Sequence, residues 1–84
     1  MKVIVSRLNG EDMTFEVRSS EKLKKLKEHI LETQGTPLIE QRILFQGNYT
    51  DDEISFESHC IRDKDKVYFL TSQQEMVLNS LQGF

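Results

Sequence analysis

The sequence predicts an α+β domain, a small sheet with one amphipathic helix across one face. Three observations predict it. A β-branched run returns through an Asn-Gly turn, an apolar pattern of helical period follows, and short apolar strands come after that. The chain of 84 residues suits one domain and is too short for two. A domain of this size buries roughly 60% of the surface its unfolded chain exposes, so one core must hold it.

Residues 2–7, "KVIVSR", place Val3 and Val5 on one strand face and Ile4 on the other. "LNGE" follows, and Asn-Gly between two apolar alternations is the strongest short-range hairpin signal. The return strand "DMTFEV" points Met13, Phe15 and Val17 inward and Asp12, Thr14 and Glu16 outward. In "SSEKLKKLKEHILETQG" the apolar residues Leu23, Leu26, Ile30 and Leu31 recur at helical spacing, with Lys27 beside them. Ser19 or Ser20 is the expected N-cap, Gly35 the left-handed stop, and Pro37 follows two residues later. Lys22, Lys24 and Lys25 crowd the first turn, where the helix dipole prefers acids.

Beyond the Pro37 loop come a strand, "QRILF", a turn, "QGN", and the weakly patterned "YTDDEI". "SFESHCI" reads as a short turn of helix docking Phe56 and Ile61. A charged turn, "RDKD", leads into the last strand, "KVYFLTS", with Val67 and Phe69 on one face and Tyr68 and Leu70 on the other. One helix covers one sheet face. The uncovered face then carries Ile4, Leu44, Tyr68 and Leu70 among polar residues.

Composition narrows the function. Charged residues make up 30% of the chain and apolar ones 37%, as in ordinary globular proteins. A net charge of −3 gives no general attraction to nucleic acid, whose binders usually carry a basic face. No apolar run approaches the ~18 residues of a membrane span. "MKVIVSRLNG" is too short and too broken for a signal peptide. Neither nucleic acid nor membrane is an expected partner. The one cysteine, Cys60, allows no internal disulfide and no CxxC or zinc pattern. It fits a reducing compartment, cytoplasmic and/or nuclear.

Collinear pieces of the chain resemble ubiquitin from Met1 to about Leu70 without a gap. They are "LNG" at 8–10, "TFEV" at 14–17, Lys27 and Ile30, Gly35 and Pro37, "QR.LFQG" within 41–47, Asp52 and Ile61. The resemblance implies a ubiquitin-like β-grasp over residues 1–72, with 73–84 a tail or linker. Its mixed sheet sets the first strand between the second and the last, and "QRILF" beside the last. In the family, an aliphatic patch on this sheet binds receptor helices and small domains. Here Leu8, Leu44 and Leu70 occupy its aliphatic positions, and Arg42, Gln46 and Gly47 its polar rim. Tyr68 replaces the histidine usual in ubiquitin, which enlarges the apolar area and removes a group able to titrate near neutrality. The partners implied are ubiquitin-binding proteins or domains, proteasome subunits among them. A monomer is expected, and no cofactor is called for.

Three departures stand out. The family's conjugating members end in a flexible Arg and Gly-Gly tail that threads an enzyme groove. This chain has Glu75 and Met76 at those positions, and its one later glycine, Gly83, precedes Phe84. Of the positions where ubiquitin carries chain-forming lysines, only 27 holds a lysine; Asn48 and Asp63 occupy the two most familiar ones. Thr50 falls where the family buries a leucine, and a buried hydroxyl needs a partner. Tyr49 or Ile54 is the candidate to fill that space. A non-covalent interaction domain is therefore the first reading, a conjugated modifier the second, and a scaffold module packed against its own parent protein the third.

The remaining motifs are weaker. The lysine cluster and the acidic run at 51–53 read as solvated surface and plain loop. His59 and Cys60 are adjacent, and neighbouring side chains point apart, which is poor geometry for a thiol–imidazole pair. Cys60 is expected as a small, partly buried filler, and His29 and His59 with one cysteine do not make a metal site. In "EMVLNSLQGF", Val77, Leu81 and Phe84 have helical spacing. An isolated helix this short is marginal in water. Docking on the domain, leading into a further domain and disorder all stay open.

Overall fold

The computed structural model describes residues 1–8 and 10–82, with side chains through Leu78. Strands β1 (Lys2–Arg7) and β2 (Asp12–Glu16) form the expected antiparallel hairpin, with Val3 opposite Phe15 and Val5 opposite Met13. Its turn closes through two 3.0 Å bonds: the Arg7 amide to the Glu11 carbonyl, and the Gly10 amide to the Arg7 carbonyl. Gly10 sits at φ +86°, a conformation that glycine enters without cost. Asn9, the other half of the turn signal, lies outside the described residues.

Helix α1 (Lys24–Gln34) crosses the sheet, and a single 3₁₀ turn (Leu38–Glu40) leads to β3 (Gln41–Phe45). A two-residue turn joins β3 to β4 (Asn48–Tyr49), and β5 (Lys66–Thr71) runs directly into a second helix, α2 (Ser72–Gln82). The strand order is β2-β1-β5-β3-β4, with β1 and β5 parallel and the other pairs antiparallel. This is the expected β-grasp order. Val3, Val5, Val17, Leu23, Leu26, Ile30, Ile43, Phe56, Ile61, Val67 and Phe69 form the core between α1 and the sheet.

Helix α1 ends as predicted: Gly35 turns left-handed at φ +75°, and its amide bonds the Leu31 carbonyl at 2.8 Å. Its start differs. Neither Ser19 nor Ser20 caps it, because the loop at 52–57 takes the backbone groups of the residues just before it. The Leu23 amide bonds the Ile54 carbonyl at 2.9 Å, and the Lys24 amide bonds the Asp52 carbonyl at 3.1 Å. Those carbonyls do the work of a cap, and the helix has no side-chain cap. The same loop resolves the lysine cluster. Glu53 reaches Lys22 at 2.9 Å and Lys24 at 3.5 Å, while Asp52 reaches Lys27 at 2.7 Å. The acids that the helix dipole favours arrive from the neighbouring loop.

Other local expectations are corrected. Leu31 lies at the edge of the helix's inner face and stays 39% exposed. The "SFESHCI" segment is a series of hydrogen-bonded turns and not a helix, yet it buries Phe56 and Ile61 as expected. Tyr49 and Ile54 are both exposed and do not fill the space beside Thr50. Instead Thr50 is half-buried, and its hydroxyl donates to the Ile43 carbonyl at 2.8 Å. Cys60 is exposed and adopts φ +64°, so it fills nothing.

Candidate functional site

Strand pairing builds the site. Val67 and Phe69 of β5 face the core, so Tyr68 and Leu70 face the side that α1 leaves uncovered. The register puts Tyr68 opposite Leu44 of β3 and Leu70 opposite Arg42. On the other side of Leu44 stands Tyr49 of β4, and on the other side of Tyr68 stands Ser6 of β1. A row of Ser6, Tyr68, Leu44 and Tyr49 therefore crosses the sheet.

Tyr68 is 53% exposed and Leu44 half-buried, so the centre of this row is accessible. Gln46 and Gly47 form the turn at its edge, both exposed, at φ +52° and +81°. Leu8, 55% exposed, lies on the β1–β2 turn and faces α2 across an apolar cleft of about 320 Å³ that Gln73, Gln74, Val77 and Leu78 complete. Leu70 does not share this exposure. The expectation that it faces open solvent is corrected: it is only 7% exposed, although it points away from the core. Helix α2 packs against β5 and β3. Its Glu75 reaches Tyr49 and Arg42, the cross-strand neighbour of Leu70, which places the helix over that end of the face.

Helix α2 starts from a capping box that the sequence spells as "TSQQ". The Gln74 amide donates to the Thr71 hydroxyl at 3.2 Å, and the Thr71 amide donates to the Gln74 side-chain oxygen at 2.9 Å. Still in the first turn, Glu75 is clasped by two side chains of the sheet. Its Oε1 lies 3.4 Å from Nε of Arg42, and its Oε2 accepts the phenolic proton of Tyr49. That hydrogen bond is the largest cause raising the Tyr49 phenol above the ordinary tyrosine range; burial and the Glu75 charge act in the same direction, and Arg42 opposes them. Of the tail's apolar residues at helical spacing, Val77 is exposed at the rim of that cleft, and the half-buried described positions of α2 are Ser72, Gln74, Glu75 and Leu78. The Leu81 side chain and Phe84 lie outside the described residues.

Tyr49 and Glu75 were missed by sequence reasoning, and each had a signal. A two-residue turn at Gln46-Gly47 fixes Leu44 opposite Tyr49, and the T-x-x-Q box announces α2. His59 is a loop staple: its Nε2 accepts the Asp51 amide at 3.0 Å and its Nδ1 lies 2.9 Å from the Ser55 carbonyl. Both nitrogens are thus committed to backbone. His29 stacks on Phe15, with centroids 5.8 Å apart. Among the described residues no group of three or more His, Cys, Asp and Glu is placed to hold a metal ion.

A five-stranded mixed sheet clasping one helix, with a partly exposed apolar reverse face, defines a ubiquitin-like β-grasp domain. The chain belongs to the ubiquitin family, whose sequence profile matches residues 1–74. The NEDD8-like protein RUB1 of Saccharomyces cerevisiae is 34% identical over 62 residues, covering 73% of this chain and 80% of that protein. Ubiquitin-like protein 1 of Schizosaccharomyces pombe is 27% identical over 59 residues, 70% of this chain and 76% of that protein. Ubiquitin-like protein NEDD8 of Dictyostelium discoideum is 28% identical over 53 residues, 63% and 69% of the two chains.

Proposed function

We propose that this protein is a non-covalent interaction domain of the ubiquitin–proteasome pathway, offering its sheet face to ubiquitin-reading proteins, proteasome subunits among them, in the cytoplasm or nucleus. The observation that carries this reading is Tyr68, more than half exposed beside Leu44 on the face opposite α1. Leu8, Gln46 and Gly47 extend the accessible surface, and Arg42 and Leu70 adjoin it under α2. A face this small gives an interface at the low end of the usual size range, and micromolar or weaker binding suits it.

A conjugated modifier is the alternative, and likeness to ubiquitin-like and NEDD8-like proteins fits it as well. Against it stands the segment after β5, which is helical from Ser72 to Gln82 and takes up Glu75 and Met76. A helical segment with Glu75 and Met76 in place of paired glycines does not offer the extended, side-chain-free tail that the enzyme groove takes. NMR titration of the labelled domain with a panel of ubiquitin receptors tests the first reading, with Leu44 and Tyr68 expected to shift most. Shifts confined to other residues overturn the site. Incubation with ubiquitin-family activating enzymes and ATP tests the alternative, which a thioester adduct would establish.

A further inference from the structure

We infer that α2 is a releasable cover over half of the sheet face, latched by Glu75 onto Arg42 and Tyr49, and that its release exposes Leu70. The inference rests on the reading of that face as the binding surface and adds how access to it is regulated.

Four observations carry it. Leu70 is buried on the side away from the core, at the position where α2 packs on β5 and β3. Among the described residues the polar hold is concentrated at Glu75, which meets both the guanidinium of Arg42 and the phenol of Tyr49. The apolar hold is thin. Among the described side chains Met76 and Val77 are exposed, Leu78 is only half-buried, and the cleft between Leu8 and the helix stays open at about 320 Å³. Finally, the helix is 11 residues long, a length that is marginal without docking. An element capped at its root by Thr71 and Gln74, and tied down among the described residues through Glu75, can swing or melt without disturbing the core.

Closing and opening then change what the face offers. Closed, it presents Leu8, Leu44 and Tyr68. Open, it adds Leu70 and releases Arg42 Nε from Glu75. The same guanidinium keeps its bonds to the Ile39 and Gln41 carbonyls, so a held cation then adjoins the apolar strip. A partner that needs the open face binds with an affinity reduced by the fraction of molecules that are open. Weakening the latch raises that fraction and tightens binding with no change in the contacts themselves. The two tyrosines divide the roles: Tyr68 belongs to the surface, Tyr49 to its lock.

The test uses the full chain and its Glu75→Lys variant, which sets an ammonium against Arg42. Amide hydrogen exchange over residues 73–78 is expected to quicken at least tenfold. The Leu70 methyls are expected to become accessible to a soluble paramagnetic agent, while Val5 and Ile30 keep their protection. Tyr49→Phe removes only the phenolic donor from an exposed side chain, so it tests the same latch with little risk to folding. It should move both readouts in the same direction by a smaller factor. Unchanged exchange and an unchanged Leu70 in these variants overturn the cover. A synthetic ubiquitin-receptor helix, titrated into each variant, separates the two proposals. Opening with tighter binding supports both. Opening with no binding supports the cover and counts against the receptor-binding reading.

Discussion

The Lys27 ammonium lies 2.7 Å from Oδ1 of Asp52, joining the buried edge of α1 to the acidic loop after β4. Lys27 is 8% exposed, so little water reaches its ammonium and Asp52 is the carboxylate it meets. Asp52→Ala leaves it with no carboxylate and is expected to destabilise the domain by about 1–3 kcal/mol. Urea unfolding read as a shift in midpoint at constant slope checks this. Lys27→Met in the Asp52→Ala background should recover part of the loss by removing the stranded charge.

Tyr68 and Leu44 share the open face without entering the core. Tyr68→Ala should lower receptor affinity roughly 5- to 30-fold, the range of a single interface anchor. The thermal midpoint should scarcely move. A large drop in stability together with unchanged affinity would reverse the assignment of Tyr68 from surface to scaffold.

Glu53 carries a pH dependence of predictable sign. Its carboxyl titrates below the ordinary range, first because Lys22 donates to it and then because the charges of Lys22 and Lys24 favour the anion. A carboxylate depressed on folding stabilises the native state above its unfolded pKa. That contribution fades as pH falls from the ordinary carboxylate range through the lower folded value. Glu53→Gln should therefore flatten the acid limb of a stability-against-pH curve and leave the neutral-to-alkaline part parallel to wild type.

Gln46 occupies the left-handed region at φ +52° as the first of two turn residues, before Gly47 at +81°. A two-residue turn with both φ values positive is the type that Asn-Gly fits best. Gln46→Asn is expected to stabilise the β3–β4 hairpin by about 0.5 kcal/mol, because asparagine tolerates this conformation better than other side chains. Chemical denaturation at equal slope measures it. Gly47→Ala should act in the opposite direction by about 1 kcal/mol.

The sheet and its helix were legible because their signals are periodic. Val3 and Val5 alternate with Ile4, and Leu23, Leu26 and Ile30 repeat at helical spacing. What could not be read locally was set by segments distant in sequence. The start of α1 depends on carbonyls of Asp52 and Ile54, some thirty residues downstream. Leu70 looks exposed from its strand alternation, and only the return of α2 over β5 and β3 buries it. The helical spacing of Val77, Leu81 and Phe84 leaves the fate of the tail open, and the reach of Glu75 to Arg42 and Tyr49 is what docks α2.

The parallel pairing of β1 with β5 has a consequence during synthesis. The strand made first lies inside the sheet, second from its edge, and finds one of its two neighbours only after Lys66 to Thr71 have been added. At about 5–20 residues per second that wait lasts roughly 3–12 s. Throughout it the ribosome displays a Val-rich ribbon whose missing edge invites pairing with other nascent chains. Newborn copies of this domain should therefore engage chaperones until the final strand emerges, and slowing translation just before codon 66 should lengthen that dependence.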